Sequence, residues 1–279
     1  MILPTDAAGG LGLAEAMRAA FSEEGLLAGS PDFEFRAEQQ EMATAVAGAL
    51  ERERSLVVEA GTGVGKSLAY LLPCMTYALE SGRKAVFSTH TINLQEQLLK
   101  KDLPLVRRLL DRPFEAALLK GRGNYLCPQR LNRALQQSGD LFSSSESDEL
   151  RAIWKWAEAT TDGTLSDLDF QPSPKIWQQV CSEGEICTTR YCGVKGGCFF
   201  QEARKRAAEA QAVVVNHTLF FALLDPEEAL ESRGFHFPND FAVFDEAHTL
   251  ENVAANQLGL RLSQSGLRFD LQRLYNPRS

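Results

Sequence analysis

Apolar positions follow two rhythms along the chain. Short β-branched or aromatic runs occur at 55–60 (SLVVEA), 84–89 (KAVFST), 212–215 (AVVV) and 241–244 (FAVF), with a weaker one at 116–119. Runs of this length bounded by turn residues predict strands. Elsewhere the spacing changes to three and four. Met42, Val46, Ala49 and Leu50 recur this way within 36–50, and Leu68, Leu71, Leu72, Met75 and Leu79 within 67–79, where Gly82 supplies a stop. Residues 93–110 predict a further helix, bent or broken at Pro104, because proline lacks an N–H and its ring crowds the preceding turn. Strands alternating with helices predict an α/β domain with a parallel sheet covered on both faces.

The alternation stops between Lys120 and about Ala210. That stretch holds a serine and acid cluster at 143–149, all three Trp and the four cysteines beyond Cys127, so 120–210 reads as an insertion into the α/β domain. The host domain then comprises 35–119 and 211–250. Ahead of it, 1–34 is a Gly- and Ala-rich leader, expected to be loosely ordered, with a weakly amphipathic stretch at 13–21. Behind it, 251–279 opens on a helical pattern. The insertion has few long apolar runs, so bonds to a metal are expected to help fold it.

Composition narrows the classes. A chain of 279 residues with 44% hydrophobic content is globular and too apolar for disorder. No run approaches the roughly 18 apolar residues of a membrane span, and residues 1–8 lack the basic and apolar regions of a secretion signal. Six cysteines without such a signal point to a reducing compartment, where thiols serve metals or cores. The net charge of −8 argues weakly against a nucleic-acid partner, yet an acidic surface does not stop one groove from being lined with Lys and Arg.

The candidate chemistry begins at Ala60-Gly61-Thr62-Gly63-Val64-Gly65-Lys66-Ser67, between a predicted strand and a predicted helix. The spacing matches a phosphate-binding loop, with Ala60 where the first glycine stands. Gly61, Gly63 and Gly65 let backbone N–H groups curl around phosphates, and the helix behind adds its positive end. Lys66 is placed for the β- and γ-phosphates of ATP, and Ser67 for Mg²⁺. A plain glycine turn would leave the lysine and hydroxyl without a reason. Downstream, the 241–244 strand runs into Asp245-Glu246-Ala247-His248. A carboxylate at a strand end is what a nucleotide-bound Mg²⁺ requires: Asp245 to hold the metal, Glu246 to orient or deprotonate water, His248 to sense the γ-phosphate. The same pair is also suited to cap the next helix.

These motifs resemble superfamily 2 helicases, and most of all their DinG/XPD iron–sulfur branch, from about Phe35 to about Leu260. The resemblance implies a RecA-like P-loop domain interrupted by a small, mostly helical cluster domain. Phe35-Arg36-Ala37-Glu38-Gln39 is similar to the adenine-side motif, with Arg36 at the nucleotide and Gln39 at the base. Ser88-Thr89-His90-Thr91, with Leu94, Gln95 and Gln97, looks like the motif that grips the DNA backbone; its alternative is a polar helix start capped by Thr91 or Asn93. Asn216-His217 matches a further family signature.

Cys127, Cys187, Cys192 and Cys198 are spaced for either Zn²⁺ or an iron–sulfur cluster; the resemblance implies a [4Fe–4S] cluster. Cys181 matches no family ligand, and Cys74 reads as a core residue. Lys120, Arg122, Arg130, Arg133, Lys195, Arg204, Lys205 and Arg206 flank the cysteines and are expected to form a local basic surface for DNA, although 204–206 equally suits a solvated helix face. Tyr125 and Tyr191 are placed either to stack on bases or to fill a core. The resemblance implies an ATP-dependent 5′→3′ helicase of the bacterial cytoplasm and nucleoid, acting on single-stranded or forked DNA. It also implies a second RecA-like domain in a longer chain, with 251–279 opening a helical Arch insertion. Alone, the chain is expected to hydrolyse ATP slowly and not to unwind. Two other classes remain: a truncated nucleotide- and DNA-binding module, and a zinc-stabilised ATPase unrelated to DNA. Only 34 residues precede Phe35, too few for a nuclease domain.

Overall fold

In the computed structural model, which describes residues 12–29, 34–136, 144–184, 197–224 and 240–259, three of the β-branched or aromatic runs and the weaker 116–119 run build one parallel sheet. Its strands are β1 (Ala85–Thr89), β2 (Ala116–Leu118), β3 (Ala212–Asn216) and β4 (Phe241–Phe244), in the order β2–β3–β1–β4. Ala85 is in register with Ala212 on one side and Phe241 on the other, and Ala116 with Ala212. Side chains alternate between faces as a pleat requires. Ala85, Phe87, Ala212 and Val214 enter one core. Val86, Val213, Val215 and Ala117 enter the opposite one.

The first face is covered by α1 (Leu13–Ala20), α2 (Ala37–Glu51), α3 (Lys66–Ser81) and α5 (Leu103–Leu110). The helix expected at 67–79 is α3, ended by Gly82 at φ +69 in the left-handed conformation that glycine tolerates. Cys74 is buried in this core, and burial pushes its thiol pKa up. Leu13, Ala16, Met17, Ala20, Phe21 and Leu27 are buried as well. Residues 12–29 are therefore part of the domain, not the loosely ordered leader that their composition suggests.

The expected 93–110 helix is divided into α4 (Ile92–Gln97), a π turn at Leu98–Asp102, and α5. The irregularity falls before Pro104 rather than at it. Proline at the start of a helix wastes no N–H, and the wider turn ahead carries the carbonyls past its ring.

The opposite face carries α9 (Phe199–Glu209) and α10 (His217–Leu224), through Phe200, Ala203 and Ala207 of α9 and Leu219, Phe220 and Leu223 of α10. Thus α9 belongs to the sheet domain and not to the insertion expected to run to 210. The insertion itself contains α6 (Pro128–Gln136), α7 (Ser144–Ala157) and α8 (Pro174–Val180) around Leu126, Leu131, Leu150, Ile153, Ile176, Trp177 and Val180. It has an apolar core of its own, against the expectation from its sparse apolar runs. The last described helix, α11 (Leu250–Leu258), follows β4. Among the described residues no helix is long and apolar enough to cross a membrane.

Residues 55–60 form no strand. Leu56, Val57 and Val58 are 44%, 95% and 41% exposed, and no described ladder includes them. Strand propensity needs a paired edge to act on, and this run is paired with neither outer strand of the described sheet, β2 or β4.

Candidate nucleotide site and DNA-facing segment

The phosphate loop has the predicted form. Gly63 and Gly65 sit at φ +85 and +83, and Lys66 is the first residue of α3. Two side chains from the start of α2 hold the loop: Arg36 donates to the Gly63 carbonyl, and the buried Gln39 donates Nε2–H to the Gly65 carbonyl at 3.0 Å. A Cβ on Gly65 would overlap the Gln39 amide. Gln39, expected at the base, is thus engaged by the loop itself. Lys66 Nζ donates to the Ala60 carbonyl at 3.4 Å and lies 3.9 Å from Glu246 Oε1. The lysine lies between the mouth of the loop and the acidic turn, and the exposed Gly61, Thr62 and Gly63 with half-buried Val64 form the rim.

The Asp245 N–H extends the β1–β4 pairing by donating to the Ser88 carbonyl at 2.9 Å. The Asp245 carboxylate accepts the Glu246 N–H at 3.0 Å and the Tyr70 hydroxyl at 3.2 Å. Burial, reinforced by the Asp245 charge, pushes the Tyr70 pKa well up, so the phenol stays a donor. Tyr70 is a site residue that the motif spacing does not announce. Its only signal is position: three residues after Ser67 it shares the face of α3 that carries the metal-site hydroxyl. Glu246 adopts φ +57, ψ +45, a left-handed conformation that costs a non-glycine residue of order 1–3 kcal/mol. His248 is exposed, with Nδ1 3.4 Å from Glu246 Oε2. The turn passes through a single 3-10 turn, Ala247–Thr249, before α11 begins at Leu250. Two hard oxygen donors, on Ser67 and Asp245, linked through Tyr70, fit a magnesium ion.

At the end of β1, Ser88 and Thr89 are buried while His90, Thr91, Asn93 and Gln97 are exposed. Thr91 accepts the Leu94 N–H at 3.3 Å, so the capped polar helix start is real and coexists with an exposed polar rim. Gln95 is fully buried and contributes nothing to that rim. Asn216 caps α10 by accepting the Leu219 N–H at 2.8 Å, and His217 behind it is buried.

In the insertion, Cys127 immediately precedes α6 and Cys198 caps α9. Thiolates are favoured at helix N-termini. The Leu126 N–H donates to the Gly163 carbonyl at 2.8 Å, and Gly163, at φ +62, lies so close under the Phe199 ring that a Cβ there would overlap it. The residue beside each cysteine thus meets at Gly163. Cys187, Cys192, Tyr191 and Lys195 lie outside the described residues, and among the described ones no three metal-ligating side chains cluster. Cys181 pairs its backbone with Leu126, beside Cys127.

Several residues expected on a basic DNA surface do structural work. Lys120 is 3% exposed and bonded to Glu96 at 3.0 Å. Arg130 binds Glu183 at 2.8 Å and the carbonyls of Cys181 and Gln178. Arg122 and Arg204 stack on Phe200, and burial with the neighbouring Arg122 charge lowers the Arg204 pKa. Tyr125 is a core residue, its hydroxyl accepting the Lys120 N–H at 3.0 Å and its pKa pushed by burial up to about 12. Lys205 and Arg206 remain exposed.

Residues 36–112 match the family described as DEAD/DEAH box helicase, and 171–267 match the one described as DEAD_2. The chain is 41% identical over 243 residues to a Haemophilus influenzae protein named ATP-dependent DNA helicase YoaA, covering 86% of this chain and 36% of that one. Its Escherichia coli K12 namesake is 40% identical, covering 88% and 38%. ATP-dependent DNA helicase DinG of the same strain is 34% identical, covering 82% and 33%. The chain therefore spans about a third of the length of these relatives. With the loop, the lysine and the Asp-Glu-Ala-His turn converging in space, residues 36–112 carry the DEAD/DEAH box helicase match and 171–267 the DEAD_2 match, in a chain homologous to part of YoaA and DinG.

Proposed function

We propose that the chain is the ATP-binding and DNA-engaging portion of a 5′→3′ DNA helicase that travels on single-stranded or forked DNA, in the cytoplasm at the nucleoid. The observation that carries the reading is the approach of Lys66 to Glu246 at 3.9 Å with Tyr70 bridging to Asp245 at 3.2 Å. It brings a phosphate-binding cation, a metal carboxylate and a candidate base to one place. In this reading the loop amides and Lys66 bind the triphosphate, Ser67 and Asp245 hold Mg²⁺, and Glu246 orients water. Arg36 and Gln39 keep the loop open for the nucleotide, and His248 faces the γ-phosphate. Cys127, Cys187, Cys192 and Cys198 would hold a [4Fe–4S] cluster, which supplies four metal–thiolate bonds that pin the insertion. DNA lies along His90, Thr91, Asn93 and Gln97, beside the exposed Lys205 and Arg206.

The phosphoryl-transfer step also needs cations on the far side of the γ-phosphate, worth roughly 10³–10⁵ in rate where arginine fingers act. These belong to the second RecA-like domain of a longer chain. The test is ATP hydrolysis with and without single-stranded DNA, on this chain and on the longest parent chain. Strong DNA stimulation of the parent, lost in Lys66→Ala, is expected; hydrolysis indifferent to DNA in both chains would overturn the helicase reading.

A further inference from the structure

His217 is buried, polar and without a role in the mechanism above. It opens α10 directly after β3 and is 1% exposed. Its Nδ1 lies 2.7 Å from Ser88 Oγ, which is fully buried on β1. Its Nε2 has no hydrogen-bond partner among the described residues. Such an orphan is costly and calls for an explanation. The backbone carbonyls of Asp245 and Glu246 lie near the ring and oppose the lowering of its pKa by burial. The rings of Phe244 and His90 sit 6.0 and 6.3 Å from its centroid. With Ser88 Oγ at Nδ1, a proton placed on Nε2 leaves the Ser88 hydroxyl to donate to Nδ1.

One imidazole therefore touches both working parts. Ser88 leads into His90 and Thr91 on the exposed rim. Asp245 and Glu246 form the catalytic turn, where the left-handed Glu246 at φ +57 persists only if its surroundings hold it. Ser88 is already tied to that turn, its carbonyl accepting the Asp245 N–H at 2.9 Å.

We propose that His217 is a positioning residue that couples the DNA-facing segment at the end of β1 to the catalytic turn. This rests on the nucleotide- and DNA-binding reading above. Nε2 is free of a hydrogen bond among the described residues. As the turn closes on Mg²⁺·nucleotide, it donates to the Asp245 carbonyl, and the Ser88 bond at the other nitrogen passes that shift to the strand end. An Nε2–H bonded to the turn and one released from it would be the two states such coupling needs. By reciprocity, DNA on the rim favours the closed turn by the same factor.

The experiment measures binding of a fluorescein-labelled single-stranded oligodeoxynucleotide to the 279-residue chain, with and without saturating Mg²⁺ and AMP-PNP. The readout is the ratio of the two affinities, from which general weakening of either site divides out. A ratio of about tenfold is expected for the wild-type chain, within the 5- to 150-fold typical of coupled sites. His217→Phe keeps an aromatic ring without nitrogens and should bring the ratio to about one. His217→Gln, with an N–H donor at similar reach, should restore at least about threefold, a recovery that lost packing alone does not give. Ser88→Ala should add no further loss of coupling in the His217→Phe background. Should the wild-type chain bind neither ligand, the site reading falls and the relay with it. Should it bind both, the relay alone is overturned by an uncoupled wild-type chain, by full coupling in His217→Phe, or by a folded His217→Gln no better than phenylalanine.

Discussion

Replacing Lys120 by methionine removes a buried charge that fastens the insertion to the sheet domain. Lys120 Nζ bonds Glu96 Oε1 at 3.0 Å and Thr164 Oγ1 at 3.4 Å, and also reaches Ser166. Glu96, on α4, additionally accepts from Ser166 at 2.7 Å and from Lys100 at 2.9 Å. Burial by itself raises the Glu96 pKa. Hydrogen bonds from Ser166, Lys100 and Lys120, together with the Lys120 charge, reverse this and bring it from 4.5 down to about 2. A carboxylate held that far down stabilises the folded state by on the order of 3 kcal/mol at neutral pH. Because the folded value is the depressed one, that contribution is complete above 4.5 and lost as pH falls towards 2.

Methionine removes two of the four lowering influences on Glu96 while keeping an unbranched side chain only one atom shorter. Stripping one partner from a fully buried pair costs roughly 3–5 kcal/mol. Here Ser166 and Lys100 stay, and the Glu96 side chain is 24% exposed, so about 2 kcal/mol is expected. For a chain of this size that lowers Tm by roughly 4 °C. Calorimetric melting at pH 7 of Lys120→Met, Glu96→Gln and the double variant closes a double-mutant cycle, with an interaction of about 2 kcal/mol expected. A Tm change below about 1 °C, or a Lys120→Met loss of equal size with Glu96 already neutral, would refute the argument that this pair holds the insertion.

Three further outcomes follow from the same geometry. Tyr70→Phe removes the donor to Asp245 and should weaken Mg²⁺·nucleotide binding about tenfold, read by titration with a fluorescent ATP analogue; unchanged affinity would remove Tyr70 from the metal site. Gly65→Ala forces a Cβ onto a φ of +83 and into the Gln39 amide, so nucleotide binding should fall by more than about thirtyfold while circular dichroism stays native. Gly163→Ala drives a Cβ into the Phe199 ring at φ +62 and should cost more than about 2 kcal/mol in urea unfolding; an unchanged midpoint would mean that Phe199 is free to move aside.

The nucleotide loop was legible because its chemistry lies in consecutive residues. Glycines that must take positive φ, then a lysine and a hydroxyl, leave few other readings, and Gly63, Gly65 and Lys66 stand as the spacing implies. Three strands were legible for the same local reason. What the chain alone did not reveal depends on tertiary partners. Tyr70 becomes a site residue only because β4 ends beside α3. Lys120 reads as a surface cation and Tyr125 equally as a base-stacking or a core group; both are buried where the loop at 162–167 closes over them, with Thr164 pairing to Tyr125. Gln95 sits in a stretch of polar residues, but its position on α4 points it inward. Residues 55–60 have the composition of a strand and lack a neighbour to pair with. Of the four proposed cluster cysteines, the described residues contain Cys127 and Cys198.

That missing pairing bears on how the site is built. A phosphate loop usually takes its shape from the strand that feeds it, here the exposed run at 55–60. This one is held from the other side. Arg36 and Gln39, at the start of α2, bond the carbonyls of Gly63 and Gly65, and Lys66 bonds that of Ala60. Each bond engages a loop carbonyl and none engages a loop N–H, the group that a triphosphate needs. Helix α2 is in turn packed on α3 and α1 through Ala43 and Ala47. The burial of α1 that composition concealed is thus connected to the nucleotide: Met17 and Phe21 brace α2, α2 braces the loop, and the loop positions Lys66 against Glu246. Bracing from the helix layer, rather than from a paired feeding strand, is what brings Lys66 to 3.9 Å from Glu246 in the acidic turn.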